Sequence, residues 1–350
     1  MTSSGADRLV VLAINPGSSS LKAAVRGPGL SLEDSFDHIG TPDALLGALG
    51  QVADRLQHSG IHPDAVGHRV VHGGPDHTRT TSVDDGLIED LRRVVPLAPL
   101  HLPTDLAVIE AARRAWADAV HVACFDTAFH AGLPEISKRL PVAAELAERG
   151  VRRYGFHGLS LQSVLRARPD LDNAVIAHLG SGCSVTAVSG GRSRHTTMSM
   201  TPTGGMVSAT RSGDLDPEIV LYLIEDLGYD VPTLRELLDR HSGLAGVAAG
   251  RHDLRELLAA EADDENARLA VELFVRSTAT AVVTCALVLD RFDTLVFTGG
   301  VGEHAAVVRE RVMALLSRIG ARPAETCVVA ADEQIVIDSE VRRLLTGPNG

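Results

Sequence analysis

Two stretches of this chain repeat one design. Residues 10–29 (VVLAINPGSSSLKAAVRGPG) and 174–191 (AVIAHLGSGCSVTAVSGG) each run as an apolar strand, a Gly/Ser turn, a second strand and a glycine. They lie about 160 residues apart, the length of a whole domain. A chain of 350 residues suggests two domains by length, and the repeat is either a duplicated domain or two unrelated hairpins with Gly-rich turns. Short β-rich runs alternate with helical patterns along the rest of the sequence, which makes the class α/β.

The individual elements follow from periodicity and punctuation. Leu9 to Asn15, Leu21 to Val25, Ala65 to Val71 and Val120 to Phe125 read as strands. Leu45, Leu46, Leu49, Val52 and Leu56 recur at helical spacing over 42–58. Pro103, Thr104 and Asp105 signal a helix start that buries Leu106, Ile109 and Ala112. Ala174 to His178 opens a second strand series. Asp216-Pro217 starts a helix that stops at Gly228. Glu265 to Arg291 reads as one nearly all-apolar helix, expected to be buried on most sides or to form a subunit interface. Leu295 to Phe297 is a strand, followed by Gly299-Gly300-Val301-Gly302 and a helix to Ile319. Val328 to Ala330 is a last strand, and a helix beginning near Glu333 closes the chain.

Composition narrows the function. With 33 basic against 45 acidic residues the net charge is -12, which argues against nucleic acid as a partner, since counterion release needs a basic face. Four scattered cysteines form no C-x-x-C pair or metal spacing, so a reduced, cytoplasmic protein is expected. No basic region followed by a long apolar run opens the chain. The longest apolar stretch, Ala279 to Leu289, reads as too short and too polar to span a bilayer.

Several segments carry chemistry-bearing residues. In Asn15-Pro16-Gly17-Ser18-Ser19-Ser20-Leu21-Lys22, glycine backbone, hydroxyls and a lysine could cradle phosphate, or simply make a hairpin turn. It is not a P-loop, because a strand follows where that motif has a helix. The second turn, His178 to Ser184, offers similar donors. Gly299 to His304 lies between a strand and a helix, where α/β folds bind nucleotides. Arg69 and Arg211 present planar forks suited to carboxylate or phosphate, and equally to a structural salt bridge. Asp126 ends an apolar strand, as a Mg²⁺-site carboxylate or a helix cap would. His157 is a packed or a functional histidine, and Glu333 could simply complement a helix dipole.

Taken in order, VLAINPGSSSLK (11–22), GHRVVHGG (67–74), PLAPLH (96–101), FDTAFH (125–130), RRYGFHG (152–158), HLGSG (178–182), TRSGDLDP (210–217) and VFTGGVGEH (296–304) resemble the acetate kinase family of short-chain acyl kinases. The resemblance implies an α/β, two-domain duplicated fold of the sugar kinase, actin and Hsp70 ATPase type, with an interdomain nucleotide cleft. It implies ATP as co-substrate, Mg²⁺ as cofactor, acetate (or propionate) as acceptor and a homodimer. One domain would comprise 1–126 plus 335–350. The other, 127–334, would hold the adenosine-binding part and the dimer interface.

Residue by residue, the same resemblance places Asn15 and Glu333 at the Mg²⁺, and Ser18, Ser20 and Lys22 in the phosphate loop. Arg69 would hold the substrate carboxylate, with Val71, Leu100, Phe156 and Pro202 around its alkyl end. Asp126 matches the catalytic aspartate, and His157 and Arg211 the transition-state stabilisers. His178, Leu179, Gly180, Ser181 and Gly182, then Asp253, Leu254 and Arg255, then Gly300, Val301, Gly302, Glu303 and His304, match the ATP-binding stretches. The chain departs from the family pattern at Pro16, Ser181, Gly204, His304 and Ala331-Asp332-Glu333-Gln334, and is shortened between Lys22 and Arg69.

Overall fold

The computed structural model describes residues 8–17, 20–37, 39 and 41–347. The chain divides into two compact units. One comprises the residues up to Ala131, Gly158–Ser163 and those from Asp332 onward; the other comprises Gly132–His157 and Val164–Ala331.

The first unit is built on strands β1 (Val11–Pro16), β2 (Ser20–Gly27), β3 (Leu30–Asp37), β4 (Ala65–Val70), β5 (Thr81–Ser82) and β6 (Val120–Phe125). Their order in the sheet is β3-β2-β1-β4-β6-β5. β1, β2 and β3 form an antiparallel meander, while β4 and β6 continue parallel to β1. The helix Pro42–His58 forms where expected. Thr41 caps its start through Ala44 N, and Leu45, Ala48, Leu49, Val52 and Leu56 face the sheet. Each of the buried leucines and the valine is worth about 1.5–3 kcal/mol. The closing helix Glu333–Thr346 packs Val336, Ile337 and Val341 with Val11, Ala13, Ala65 and Val122. Gly67 permits this approach, because a Cβ there would lie 2.5 Å from Ile337 Cγ2.

The second unit repeats the plan with β7 (Ala174–Leu179), β8 (Cys183–Ser189), β9 (Arg192–Thr196), β10 (Thr294–Thr298) and β11 (Glu325–Val328). The order is β11-β10-β7-β8-β9: again an antiparallel meander, β7-β8-β9, flanked by strands parallel to its first member. The hairpin repeat in the sequence is therefore the visible part of a duplicated sheet.

Three expectations are corrected. The long helix runs Glu265–Ala286, not to Arg291; the chain must turn back to reach β10, whose first residue Thr294 bonds Asn173 O through its N–H. That helix, taken whole, is long and apolar enough to cross a bilayer, yet half of its most apolar stretch is buried inside the protein. Val271, Phe274, Thr278, Val282 and Cys285 face the core, whereas Leu269 and Leu273 are exposed. Finally, β11 begins at Glu325, earlier than the apolar run at 328–330. It is an edge strand placed by pairing with β10, not by hydrophobicity.

Candidate active site

In the first unit the parallel strands end together. Asn15 lies near the end of β1, Arg69 near the end of β4, and Asp126 directly follows β6. This is the edge of an α/β sheet at which ligands bind. The Arg69 side chain is 14% exposed and that of Asp126 is 1% exposed. Arg69 Nε donates to Asp126 Oδ1 and Oδ2 at 3.2 and 3.1 Å, and Nη2 donates to Oδ2 at 2.6 Å. Nη1 donates to the Pro16 carbonyl. The last residue of β1 thus orients the guanidinium, and Asp126 holds it flat.

Glu333, at the start of the closing helix, accepts a hydrogen bond from Asn15 Nδ2 at 2.7 Å. Two residues 318 positions apart in sequence are thereby joined. Burial works against the Arg69 charge, but Asp126 and Glu333 outweigh it and keep the group protonated. Burial pushes the Asp126 carboxyl up to about 6, with Arg69 pulling it down and Glu333 pushing it up. One guanidinium facing two carboxylates leaves this buried edge with an excess of negative charge. Oxygen donors and surplus negative charge suit a hard dication such as Mg²⁺, which takes one or two protein oxygens and completes its shell with water and phosphate. Among the described residues no cluster of three or more His, Cys, Asp and Glu could hold a metal by itself.

In the sequence Asp105 is only a helix-start signal. The helix Leu102–Ala115 is capped at His101 without a side-chain bond. The Asp105 carboxylate instead turns inward, 3% exposed, and accepts from Val71 N at 2.9 Å. Burial pushes it up to about 7, against the pull of Arg69. An acid that is buried in a first helical turn cannot be told from an exposed one by sequence.

In the second unit the turn between β7 and β8 gathers a different set. His178 on β7 stacks on His157, ring centroids 4.2 Å apart. His157 Nδ1 lies 2.9 Å from Ser184 Oγ on β8. A Cβ on Gly182 would lie 3.1 Å from Arg211 Nη1 and 3.6 Å from His157 Nε2. His157, His178, Gly182 and Arg211 therefore converge on one spot. His157 itself has φ 61, a left-handed conformation that costs a non-glycine residue on the order of 1–3 kcal/mol and concentrates at functional positions. The Arg211 loop is locked by backbone bonds: Ser208 N to Arg211 O, Leu244 N to Ser208 O, and Ala209 N to Ser181 O. Gly243 is required there, since a Cβ would meet Ser208 O at 2.3 Å.

The other expected site residues fall as follows. Ser18 lies outside the described residues. Ser20 opens β2 and its carbonyl accepts from Gly17 N at 2.7 Å; Lys22 is exposed on the same strand. Val71 is buried and Leu100 half-buried in the first unit; Phe156 and Pro202 are buried in the second. Asp253 caps the helix Leu254–Ala260 and pairs with Arg255, while the Leu254 side chain lies in the core. Gly300 to His304 form a short helix after β10. There Gly300 faces open space and His304 is exposed, whereas Glu303 accepts from Gly299 N and Ala331 N at 3.0 and 3.1 Å. Glu303 is thus occupied in shaping the loop.

Two copies of one five-strand plan, with an arginine–aspartate pair at one sheet edge and a histidine–arginine cluster on the other unit's hairpin, define the α/β fold of the sugar kinase, actin and Hsp70 ATPase type. The profile of the Acetokinase family matches residues 34–344. The chain is 39% identical over 336 residues to an acetate kinase from Sulfurovum sp. (strain NBC37-1), covering 86% of this chain and 85% of that protein. It is likewise 39% identical to the acetate kinase of Deinococcus radiodurans, covering 88% and 86%. Among solved structures it is similar to a propionate kinase from Francisella tularensis (TM-score 0.85, 30% identity, covering 95% and 98%) and to Porphyromonas gingivalis acetate kinase (TM-score 0.79, 28% identity, covering 96% and 100%). The chain belongs to the acetokinase family.

Proposed function

We propose that the protein transfers the γ-phosphoryl group of ATP to acetate, giving ADP and acetyl phosphate by direct, reversible in-line transfer. The observation that carries this reading is the state of Arg69. Arginine has five N–H donors. Nε–H and one Nη2–H are engaged by Asp126, and one Nη1–H by Pro16. One N–H remains on each terminal nitrogen, a fork matched to a carboxylate.

Acetate, with a pKa of about 4–5, is already an anion at neutral pH and needs no general base. The difficulty is bringing it up to a polyphosphate. Asp126 acts as the orienter of Arg69, not as a proton acceptor. Arg211 and His157 donate to the equatorial oxygens of the transferring group, as positioning and charge neutralisation require. Asn15 and Glu333 would hold Mg²⁺, which when bound offsets phosphate charge. Ser20 and Lys22 serve the phosphates, and the 178–182, 253–255 and 300–304 segments the nucleotide. The family resemblance assigns Val71, Leu100, Phe156 and Pro202 to the methyl end of the acceptor.

The protein works in the cytoplasm as a homodimer in this reading. The helix Pro217–Glu225 supports a second copy as partner: it buries no residue, and Ile219, Leu221, Tyr222 and Ile224 are all exposed on it, as apolar side chains at an interaction surface are.

The test is ATP-dependent acyl phosphate formation, trapped with hydroxylamine across formate, acetate, propionate and butyrate. Acetate should give the highest kcat/KM, and Arg69→Gln should abolish turnover with every acid. Propionate is the second candidate, favoured by the likeness to the Francisella propionate kinase; one methylene separates the two by only about 1–3 kcal/mol. Tight ATP binding without hydroxamate from any acid would make this a nucleotide-binding protein and refute the reading.

A further inference from the structure

The hairpin that carries His178 also carries Ser184, and the two are partners in the β7–β8 register. They grip His157 from two directions. The His178 ring lies against its face at 4.2 Å, and the Ser184 hydroxyl meets its Nδ1 at 2.9 Å. Ser184 is fully buried, so its hydroxyl is shielded from water. The opposite ring nitrogen, Nε2, points to the Gly182 position, where Arg211 Nη1 also converges.

We propose that Ser184 is a positioning residue: its hydroxyl donates to His157 Nδ1 and so fixes the imidazole with its proton on Nε2. The inference rests on the phosphoryl-transfer reading above, in which Nε2–H must donate to an oxygen of the moving group. A neutral imidazole has one donor and one acceptor nitrogen, and the bond made by one sets the role of the other. An acceptor at Nδ1 leaves a donor at Nε2. With Nδ1 protonated instead, Nε2 would offer a lone pair to an anionic phosphoryl group, which repels it. The left-handed backbone at His157 aims the ring; Ser184 decides which end carries the hydrogen.

The test joins spectroscopy to kinetics in the full-length protein. Two-bond ¹H–¹⁵N spectra of histidine-labelled protein, with His157 assigned by its loss in His157→Gln, report the tautomer directly. Wild type is expected to show the Nε2–H form, and Ser184→Ala a shift toward Nδ1–H. In Ser184→Ala, kcat should fall about 3- to 10-fold, the size of one neutral hydrogen bond. KM for ATP and acetate should stay within twofold, and Ser184→Thr, which keeps the hydroxyl, should recover the wild-type tautomer. A wild-type Nδ1–H tautomer, or a Ser184→Ala spectrum indistinguishable from wild type, overturns the proposal. Absence of acyl phosphate formation by wild type would refute the phosphoryl-transfer reading while leaving the tautomer result to stand or fall alone.

Discussion

Replacing Asp126 by asparagine isolates the charge of the carboxylate from its volume. The carboxylate is almost wholly buried and receives both Nε–H and Nη2–H of Arg69. In Asp126→Asn only one oxygen remains to accept, and the amide NH₂ faces a guanidinium donor. Leaving a buried ion without its partner costs about 3–5 kcal/mol, and the retained acceptor puts this case at the lower end, about 3 kcal/mol. For a unit of roughly 150 residues each kcal/mol moves Tm by about 2–4 °C, so the melting transition should fall by about 6–12 °C. Activity should suffer more. Arg69 loses the contact that holds it flat, and removal of such a preorganised charge arrangement costs about 10²–10³ in kcat. Thermal melts followed by circular dichroism, alongside the hydroxamate assay with a Mg²⁺ titration, measure both. A variant that melts within 2 °C of wild type and keeps its acetate KM and Mg²⁺ dependence would show that the pair neither stabilises the unit nor orients the substrate arginine.

Other consequences are equally open to measurement. Gly182→Ala would place a methyl 3.1 Å from Arg211 Nη1; the guanidinium must yield by some tenths of an ångström, and kcat should drop about 10-fold with a near-native melting temperature. His68, buried on β4 with Nε2 2.9 Å from His121 Nδ1, is held down to about 3 by burial and then by His121. Its unfolded counterpart binds a proton near pH 6.5, so the stability from the neutral ring is complete above that value and is lost as pH falls toward 3. Urea titrations of His68→Gln should show a shallower loss across this window. Tyr222→Arg on the exposed helix should convert a dimer to monomers in sedimentation velocity; an unchanged sedimentation coefficient would place the interface elsewhere.

Much of the site could be read in the sequence because its residues sit where strands end. Asn15 and Asp126 terminate apolar runs, Arg69 lies in one, and the Gly/Ser turns announce the two hairpins. What escaped was whatever depends on which way a side chain faces. Asp105 looked like a helix-start residue and became a buried acceptor for Val71 N. Leu254 matched a nucleotide-binding stretch, yet its side chain lies in the core. Glu303 serves backbone N–H groups at Gly299 and Ala331.

The sequence by itself determined the α/β class and the strand ends that display functional groups, because periodicity and turn chemistry are local properties that each segment carries with it; the matching sheet orders decided that the two hairpins are a duplication. Only the tertiary structure decided that Glu333 meets Asn15, that Asp126 clasps Arg69, and that His157 adopts a left-handed backbone beside His178 and Ser184. Those pairings join residues far apart along the chain. They arise when sheets and helices close on one another, and the packing that selects them has no signature within any single segment.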